Sequence, residues 1–275
     1  MSDRTLLVVS EADPVAPRVA ERWGSPPSSG THVDGAPIRA LGPGVWYLRR
    51  PGLHIHDDHL DRKLPRSFVE PGLRLVFPSV HRSESGTPCF TVHPLGNLGP
   101  TSDVGGEPGR LVLTAPRLMS SALRLLAEGG ERIGLDATYE ATHHGPSLEL
   151  PAFFAEIGFG EAEGPPPAAV DVLARVLPAL VEDPTDRVAV GAGGGHYVPH
   201  FTDLALRRRW AFGHLVPRHA LETASRAMLE DAVEKTPGSE GVLFARAADA
   251  ADPRWVGRWP RLRDGDAPRR DASTA

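Results

Sequence analysis

Short apolar runs bounded by glycine, proline and aspartate recur along the chain and predict β-strands. Stretches with a helical spacing of apolar residues lie between several of these runs, and most begin near a proline, as helices often do. Strands that alternate with helices favour an α/β fold in which helices cover a mixed, largely parallel sheet. The predicted strands are residues 5–9, 45–48, 53–56, 73–77, 89–93, 136–142, 153–157, 187–191, 210–214 and 241–245, and the predicted helices are residues 14–23, 116–128, 165–181, 202–209 and 217–234.

The 275 residues allow one large domain or two modest ones, at about 150 residues per domain. Because no linker divides the chain, we predict a single domain over residues 1–246. Residues 247–275 are rich in Asp, Arg, Pro and Ala, and we predict a loosely ordered C-terminal tail there. Residues 24–30 indicate a flexible loop by composition, and a Gly/Pro loop as long as 93–110 is more often functional than idle.

Charge and cysteine content narrow the classes of function. Acidic residues number 35 and basic residues 30, and the resulting charge of −5 excludes a protein that coats nucleic acid by bulk charge. The single cysteine, Cys89, excludes a disulfide framework and a cysteine-based zinc cluster, so a metal site would use His and carboxylate. With no apolar run of about 18 residues and no signal peptide, we expect a cytoplasmic protein.

Histidines recur at the ends of the predicted strands. Since ligands of open α/β sheets bind at the carboxyl edge of the strands, these imidazoles would line one crevice if the strands are parallel neighbours. Any one of them could instead be an ordinary loop histidine bonded to the backbone, but the set favours a site. The seven histidines are His56, His81, His93, His143, His144, His196 and His214.

A tight polar loop follows the predicted strand at 73–77. It reads VHRSESG over residues 80–86 and could hold a phosphate or carboxylate through Arg82 and backbone N–H groups. A purely structural turn remains an equal alternative. The loop lacks the G-x-S-x-G pattern of a nucleophile elbow, which argues against a serine hydrolase.

Two further motifs combine histidine with turn residues. In YEATHHGP, residues 139–146, adjacent side chains of an extended segment point to opposite faces. At most one of His143 and His144 therefore faces a common ligand, with the other supporting it, unless the turn rotates them. In GAGGGHYVPH, residues 191–200, consecutive glycines let backbone N–H groups approach a ligand, although a structural glycine turn stays open. Glu156 lies inside an apolar run and needs a partner, such as a His, a metal or an Arg.

Local spacing does not identify a metal site. The chain has no H-E-x-x-H and no EF-hand pattern, so a zinc site would be assembled from separate loops. His54 and His56 form an i, i+2 pair that resembles a bidentate metal clip, with Asp57, Asp58 and His59 beside it.

Taken in order, HRSESGTPCFTVHPLGN (81–97), YEATHHGP, the AEIG strand, GGGHYVPHFTDLAL (193–206) and FGHLVP (212–217) resemble the archaeal- and plant-type D-aminoacyl-tRNA deacylases. The resemblance implies a three-layer α/β/α sandwich related to the phosphorylase and peptidyl-tRNA hydrolase group. It also implies a monomeric, zinc-dependent enzyme that hydrolyses the ester between a D-amino acid and the terminal ribose of tRNA, as in chiral proofreading. HIHDDHLD around His56, and His200 where a basic residue is expected, depart from the family pattern.

The family's site residues carry over to matching positions of this chain. The resemblance implies His81, Arg82, Ser83, Glu84, Ser85, His93, Glu140, Thr142, His143, His144, Glu156, His196, Tyr197 and His214. Our hypothesis assigns catalysis to His143 or His144, His196 and Glu156, with Thr142 beside them, and metal binding to His143, Glu156, His196 and His214. Substrate contacts are expected from His81, Arg82, Ser83, Glu84, Ser85, His93, Tyr197 and the glycine loop Gly193, Gly194 and Gly195.

Contact with tRNA needs a local cationic surface, because the whole chain is acidic. Arg207, Arg208 and Arg209 lie on a predicted helix and could hold phosphates, although a solvated helix face is an equal alternative. Two other classes of function stay open at this point. One is a different metal-dependent hydrolase, such as a peptidyl-tRNA hydrolase or an amidase, and the other is a non-catalytic RNA- or nucleotide-binding module.

Overall fold

A mixed eight-stranded sheet forms the centre of the computed structural model, which describes residues 4–69, 72–82, 86–160, 164–252 and 259–270. Its strands are β1 (Arg4–Ser10), β2 (Ser28–Val33), β3 (Ala36–Gly42), β4 (Val45–Arg50), β5 (Leu73–His81), β6 (Cys89–Pro94), β7 (Asp136–Tyr139) and β8 (Ala152–Gly158). Their order is β2-β3-β4-β1-β5-β8-β6-β7. The pairs from β4 through β1 and β5 to β8 are parallel, as is β6 with β7, whereas β2–β3, β3–β4 and β6–β8 are antiparallel.

A second sheet has four strands, all parallel, in the order β10-β9-β11-β12. They are β9 (Arg187–Ala192), β10 (Trp210–Val216), β11 (Ser239–Phe244) and β12 (Arg261–Leu262). The helices are α1 (Ala16–Arg22), α2 (Arg66–Val69), α3 (Pro116–Glu131), α4 (Pro167–Val176), α5 (Pro199–Arg207), α6 (Arg218–Thr223), α7 (Arg226–Glu234) and α8 (Ala247–Ala250). The predicted α/β class, with a mixed and largely parallel sheet, is confirmed.

Continuous apolar runs became the central strands because both of their faces are covered. In β1 every residue from Thr5 to Ser10 is buried, and in β8 all seven residues are buried, including Glu156. Helix α3 packs on β6, β7 and β10, and so covers strands of both sheets. No helix among the described residues is long and apolar enough to span a membrane.

The local predictions fail at several places. Residues 53–56 do not form a strand. His54–His56 form one 3₁₀ turn, and the ring of His54 is buried in the core. The hairpin β2–β3 was not predicted because it is an edge with few buried residues, and β2 begins inside the expected flexible loop. The predicted helix 217–234 is two helices, because Ser225 is extended and caps α7 by accepting a hydrogen bond from the backbone N of Met228.

The predicted tail is packed over the part that the structure describes. Strand β12 pairs with β11, and Ala267 is fully buried. The backbone N of Arg209 donates to the carbonyl O of Pro268, and the indole N–H of Trp210 donates to that of Asp264. Residues 259–270 therefore belong to the folded body instead of forming a loose extension.

A short segment directly after β7 joins the two sheets. The backbone N of Glu140 donates to the carbonyl O of Val92 in β6, which extends the pairing of the large sheet. Ala141 N then donates to His196 O at 2.8 Å, and Thr142 N to Leu215 O of β10 at 2.8 Å. This segment, residues 140–144, carries four of the candidate site residues between the sheets, Glu140, Thr142, His143 and His144.

Candidate active site

Five of the seven predicted histidines converge with two buried glutamates. Between ring centroids, His143 lies 4.1 Å from His93, 4.4 Å from His144 and 4.8 Å from His196. His81 joins the group through the two carboxylates, Glu140 and Glu156. We call His81, His93, Glu140, His143, His144, Glu156 and His196 the His/Glu cluster.

The cluster lies over a face of the large sheet and not at the predicted carboxyl edge. Ser79, Glu156 and Thr91 are cross-strand partners on β5, β8 and β6, and Phe154 pairs with His93 in the adjacent row. Cross-strand partners project to the same face, and so do residues two apart on one strand. Because β6 runs antiparallel to β8, the carboxyl ends do not share an edge, and the side chains meet above the sheet.

Glu140 is the centre of the cluster, although the sequence indicates no role for it beyond a match to the family motif. It is fully buried, and its Oε1 lies 2.8 Å from His81 Nδ1. Its Oε2 lies 3.5 Å from His143 Nε2 and 3.4 Å from His196 Nε2. Despite these short distances, no described residue gives either oxygen a hydrogen bond of good geometry.

Glu156, on β8, is the second carboxylate of the cluster. Its Oε2 accepts a hydrogen bond from Thr91 Oγ1 at 3.2 Å and lies 3.7 Å from His81 Nδ1, while Oε1 lies 3.6 Å from His93 Nε2. Thus the buried partner that the sequence required for Glu156 is a pair of histidines. The ring of His93 stacks on Phe154 with centroids 5.0 Å apart.

The histidines of the cluster differ in charge: His81 is cationic, whereas His143 and His144 are neutral. Burial alone would lower the pKa of His81, but the ion pairs with Glu140 and Glu156 outweigh it and raise that pKa to about 11. Burial opposes charge on Glu140 as well, yet His196 and His81 hold the pKa of that carboxyl below its usual value. The cationic His81 and the two ionised glutamates therefore persist across neutral pH.

His143 and His144 are neutral. Burial, reinforced by the charge of His93, lowers the pKa of His143 well below its usual value and that of His144 to about 4. Each ring uses Nδ1–H to donate to a backbone carbonyl, His143 to Ala141 at 2.8 Å and His144 to Gly145 at 2.7 Å. Their Nε2 atoms therefore carry lone pairs.

The donor set fits a metal ion. Glu140, His143 and His196 each offer one ligand atom, and these atoms lie within 4.8 Å of one another. His143 Nε2 and Glu140 Oε2 are both acceptors, so a cation between them would relieve their repulsion and satisfy the buried oxygen. Two overlapping sets also exist, His93 with His143 and His144, and His81 with Glu140 and Glu156.

His214 and Thr142 lie apart from these ligand groups. The ring of His214 is fully buried, and its Nε2–H donates to the carbonyl O of Val112 at 2.9 Å. Its Nδ1 accepts a hydrogen bond from the hydroxyl of Thr142 at 3.0 Å. The same hydroxyl oxygen accepts a hydrogen bond from Leu215 N. Both ring nitrogens are thus used within the protein, and the structure does not bring the predicted ligand His214 to the metal-binding atoms.

The residues expected to contact substrate are divided. Tyr197 is 40% exposed, and its hydroxyl lies 2.7 Å from His81 Nε2, which places it at the rim of the cluster. Arg82 is exposed beside His81, whereas Ser83, Glu84 and Ser85 lie outside the described residues. In the glycine loop, Gly193 and Gly194 have φ of 110° and 85°, and the Gly193 N–H donates to Val216 O, so it is not open to a ligand.

The arginines after the glycine loop are largely engaged. Arg207 pairs with Asp203 on its own helix, although its side chain is 79% exposed. Arg208 donates to the carbonyl O of Ala267, and Arg209 pairs with Asp183 at 3.1 Å. These arginines lie at and just after the C-terminal end of α5, whereas the cluster residue His196 precedes the start of that helix.

The segment HIHDDHLD, residues 54–61, supports the backbone that follows the cluster histidines His143 and His144. Asp58 Oδ1 accepts a hydrogen bond from Ser147 N, and Asp61 Oδ2 accepts from Glu149 N and Leu150 N. The Nε2 of His54 lies 3.0 Å from Ser79 Oγ beneath the cluster. These contacts hold the backbone after His143 and His144 in place. They do not support the metal clip suggested for His54 and His56, because His54 Nε2 is bonded to Ser79.

Relatives of this chain share its fold and sequence. The solved crystal structure of a conserved protein of unknown function is 29% identical, with a TM-score of 0.79 over 90% of this chain and 89% of that one. A D-aminoacyl-tRNA deacylase of Methanococcoides burtonii is 38% identical over 200 residues, which are 72% of this chain and 41% of that protein. The D-aminoacyl-tRNA deacylase of Methanosarcina mazei is 37% identical over 205 residues, 74% of this chain and 68% of that protein.

Fold and site together define an α/β protein with a buried histidine–carboxylate centre. The family model described as D-aminoacyl-tRNA deacylase matches residues 71–255, more than half of the chain and all of the cluster. The chain belongs to the D-aminoacyl-tRNA deacylase family, and the resemblance found in the sequence motifs is confirmed.

Proposed function

We propose that this protein hydrolyses the ester bond of D-aminoacyl-tRNA and releases free tRNA and the D-amino acid. The observation that carries the proposal is the His/Glu cluster, which lies within the segment that matches the deacylase family. The action on D-aminoacyl esters makes it a chiral proofreading enzyme. We further propose that it acts as a monomer in the cytoplasm, where its substrate occurs.

Zinc is the metal that suits this donor set, since imidazole nitrogen and carboxylate oxygen are common zinc ligands. Glu140, His143 and His196 would hold it, and Glu156 would support them through His81 and His93. When bound, zinc would supply Lewis acidity and a lowered pKa for water. His214 is left out of this ligand set because both of its ring nitrogens are occupied.

The protein's own groups orient the reactants. Ester hydrolysis requires a positioned water, stabilisation of the developing oxyanion and departure of the ribose 3′-oxygen. His144 keeps an acceptor nitrogen at Nε2 because its Nδ1–H is bound to Gly145 O, and this nitrogen orients the attacking water. His196, with a side chain 47% exposed, and Tyr197 reach the outer side of the cluster, where the aminoacyl group would enter.

The positive charge of His81 lies next to this entrance. Its imidazolium bridges Glu140 and the hydroxyl of Tyr197, so Tyr197 is held by a charged donor. The positive φ angles of Gly193 and Gly194 let the loop before His196 turn sharply toward β10. The loop thereby presents His196 and Tyr197 together to the aminoacyl group.

The test is release of labelled amino acid from D-Tyr-tRNA and from L-Tyr-tRNA by the purified protein. We expect fast release from the D-form alone, loss of activity with a chelator, and recovery on addition of zinc. Release from neither substrate would refute the deacylase function. Release that withstands complete removal of metal would refute the zinc requirement alone.

A further inference from the structure

A groove of about 790 Å³ opens between the long Gly/Pro loop and the helices α6 and α7. Its volume is in the range of pockets that hold small ligands. Apolar surface comes from Leu98, Pro100 and Met228, and charge from Arg110, Asp231 and Lys235. All lining residues belong to the described part of the chain.

One wall of the groove is joined directly to the His/Glu cluster. Gly96 N donates to the carbonyl O of His144 at 2.8 Å, and Asn97 N donates to that of Arg110 at 2.9 Å. The side chain of Leu111 packs on Gly96. Arg110 thus lies about one strand spacing, roughly 5 Å, from the backbone that bonds to His144.

The opposite wall is attached to β10 and to the start of α3. Thr114 N donates to the carbonyl O of Lys235, and His214 N donates to Thr236 Oγ1. The groove therefore lies beside the cluster, between two elements that also support it. A nucleotide strand lying in the groove would contact Arg110 and Lys235.

The lining suits a single-stranded polynucleotide. Such segments are bound where cations follow the phosphates and side chains, most often aromatic, contact the bases. Here Leu98, Pro100 and Met228 would supply the apolar contact. The charged residues of the lining are two cations, Arg110 and Lys235, and one acid, Asp231, in a chain whose net charge is −5. Arg110 is held in place by Glu107 at 3.0 Å, which leaves its side chain one-third exposed.

The larger groove elsewhere on the surface is less suited to phosphate. It measures about 1070 Å³ and is lined by five arginines, including Arg207 and Arg208, but also by six acidic residues. Two of its arginines, Arg124 and Arg270, are already paired with Asp186. Charge complementarity therefore favours the groove with Arg110 and Lys235.

We propose that this groove binds the single-stranded 3′-terminal nucleotides of tRNA and leads the esterified adenosine to the His/Glu cluster. The proposal rests on the proposed deacylase function, and it names the surface that recognises the nucleic-acid part of the substrate.

The test uses binding and activity separately. Binding is measured by fluorescence anisotropy with uncharged tRNA and with the same tRNA lacking its last three nucleotides. We expect the wild type to bind the intact tRNA more tightly, and the double variant Arg110→Gln, Lys235→Gln to bind it about 10-fold more weakly. The double variant should bind the truncated tRNA as the wild type does, and the salt dependence of its binding to intact tRNA should fall by about two counterions. Arg226→Gln is the matched control, since Arg226 lies on α7 outside the lining and pairs with Glu230.

Activity is compared on D-Tyr-tRNA and on 3′-O-D-tyrosyl adenosine, which lacks the preceding nucleotides. A raised KM for D-Tyr-tRNA with unchanged hydrolysis of the small ester supports the groove. Equal losses on both substrates, or equal binding of intact and truncated tRNA by the wild type, would overturn it. A loss of tRNA binding in the double variant Arg207→Gln, Arg208→Gln alone would assign tRNA to the other surface. If neither ester is hydrolysed the deacylase function fails, and the anisotropy data still decide whether the groove binds the tRNA end.

Discussion

The Nε2 of His143 faces Glu140 Oε2 across 3.5 Å, with a lone pair on each side. Two acceptors at this distance repel each other in a buried site, where the dielectric is low. The pair is favourable only when a cation or a shared proton lies between them. Substitution of either residue therefore tests whether a cation lies between them.

Loss of a residue that hydrogen-bonds to a metal ligand typically weakens metal binding about 10- to 100-fold. Replacement of Glu140 by Gln changes a ligand itself and should therefore weaken zinc binding by more than that. The amide is nearly isosteric but uncharged, so the loss would come from the ligand and not from packing. Metal content after dialysis and the rate of D-Tyr-tRNA hydrolysis measure the effect. Thr91→Val, which removes a hydrogen bond to Glu156 but no ligand, serves as the comparison. Equal zinc content in Glu140→Gln and wild type would contradict the assignment.

His196→Ala should abolish turnover while the fold is retained. The side chain of His196 is 47% exposed, so its removal leaves no large cavity, yet it removes one of the three ligand atoms that converge. Deacylation assays and circular dichroism provide the two readouts. His200→Ala, four residues on, removes an exposed partner of Asp264 and should remain active. An active His196→Ala protein would exclude this residue from the mechanism.

Thr142 should matter for stability, since its hydroxyl connects the ring of His214 with the backbone N of Leu215. Thr142→Val keeps the shape but leaves both buried groups without their partner, and we expect a loss of about 1–3 kcal/mol in the free energy of unfolding. Thr142→Ser retains the hydroxyl and should lose less. Urea denaturation of both variants measures the difference. Equal losses would show that the methyl group and not the hydroxyl is responsible.

The buried ring of His214 should make the fold sensitive to acid. Burial lowers its pKa to about 3 in the folded protein, against about 6.5 when unfolded. Between these values the unfolded chain binds a proton that the folded chain does not, so stability falls as the pH falls below about 6.5. The expected contribution is about 1.4 kcal/mol per pH unit. Urea denaturation from pH 7 to pH 4 should show a slope in His214→Gln smaller by up to one proton; an identical slope would be inconsistent with a neutral buried His214.

Gly105 should not tolerate a side chain. Its φ is 77°, and a Cβ would lie 1.9 Å from the carbonyl O of Ile55. Gly134 has nearly the same φ, 74°, with no atom within 4 Å of the corresponding position. Both Ala variants carry the backbone strain of about 1–3 kcal/mol, but Gly105→Ala also adds the collision and should unfold at a clearly lower temperature. Equal melting temperatures of the two variants would disprove the close contact.

The sequence predicted strands best where burial alone determines them. The runs around Leu6 and Phe153 are apolar throughout because both faces of those strands are covered. The hairpin β2–β3 has polar and exposed residues, so its pattern did not differ from that of a loop. The break at Ser225 was missed because the apolar spacing continues across it, although a serine before a helix is a known capping signal.

For the site, position along the chain indicated the right residues but not their arrangement. Pattern analysis contains no information on strand direction, and the antiparallel β6 moved the site from the sheet edge to the sheet face. Glu140 directly follows β7 and lies three residues before His143, and that neighbourhood was the available signal for its role. His214, like His196, lies at or just past the end of a predicted strand. Only the hydrogen bonds of its ring show that its role is structural.

Residues 140–144 obtain their backbone hydrogen bonds from both sheets, so the geometry of the cluster depends on how the two sheets are docked. A small rotation of the four-stranded sheet would shift His196 relative to Glu140 before any strand of the large sheet is lost. Activity should therefore disappear at a lower temperature than the secondary structure. We therefore expect the contact between the two sheets, and not the core of either one, to set the upper temperature limit of function.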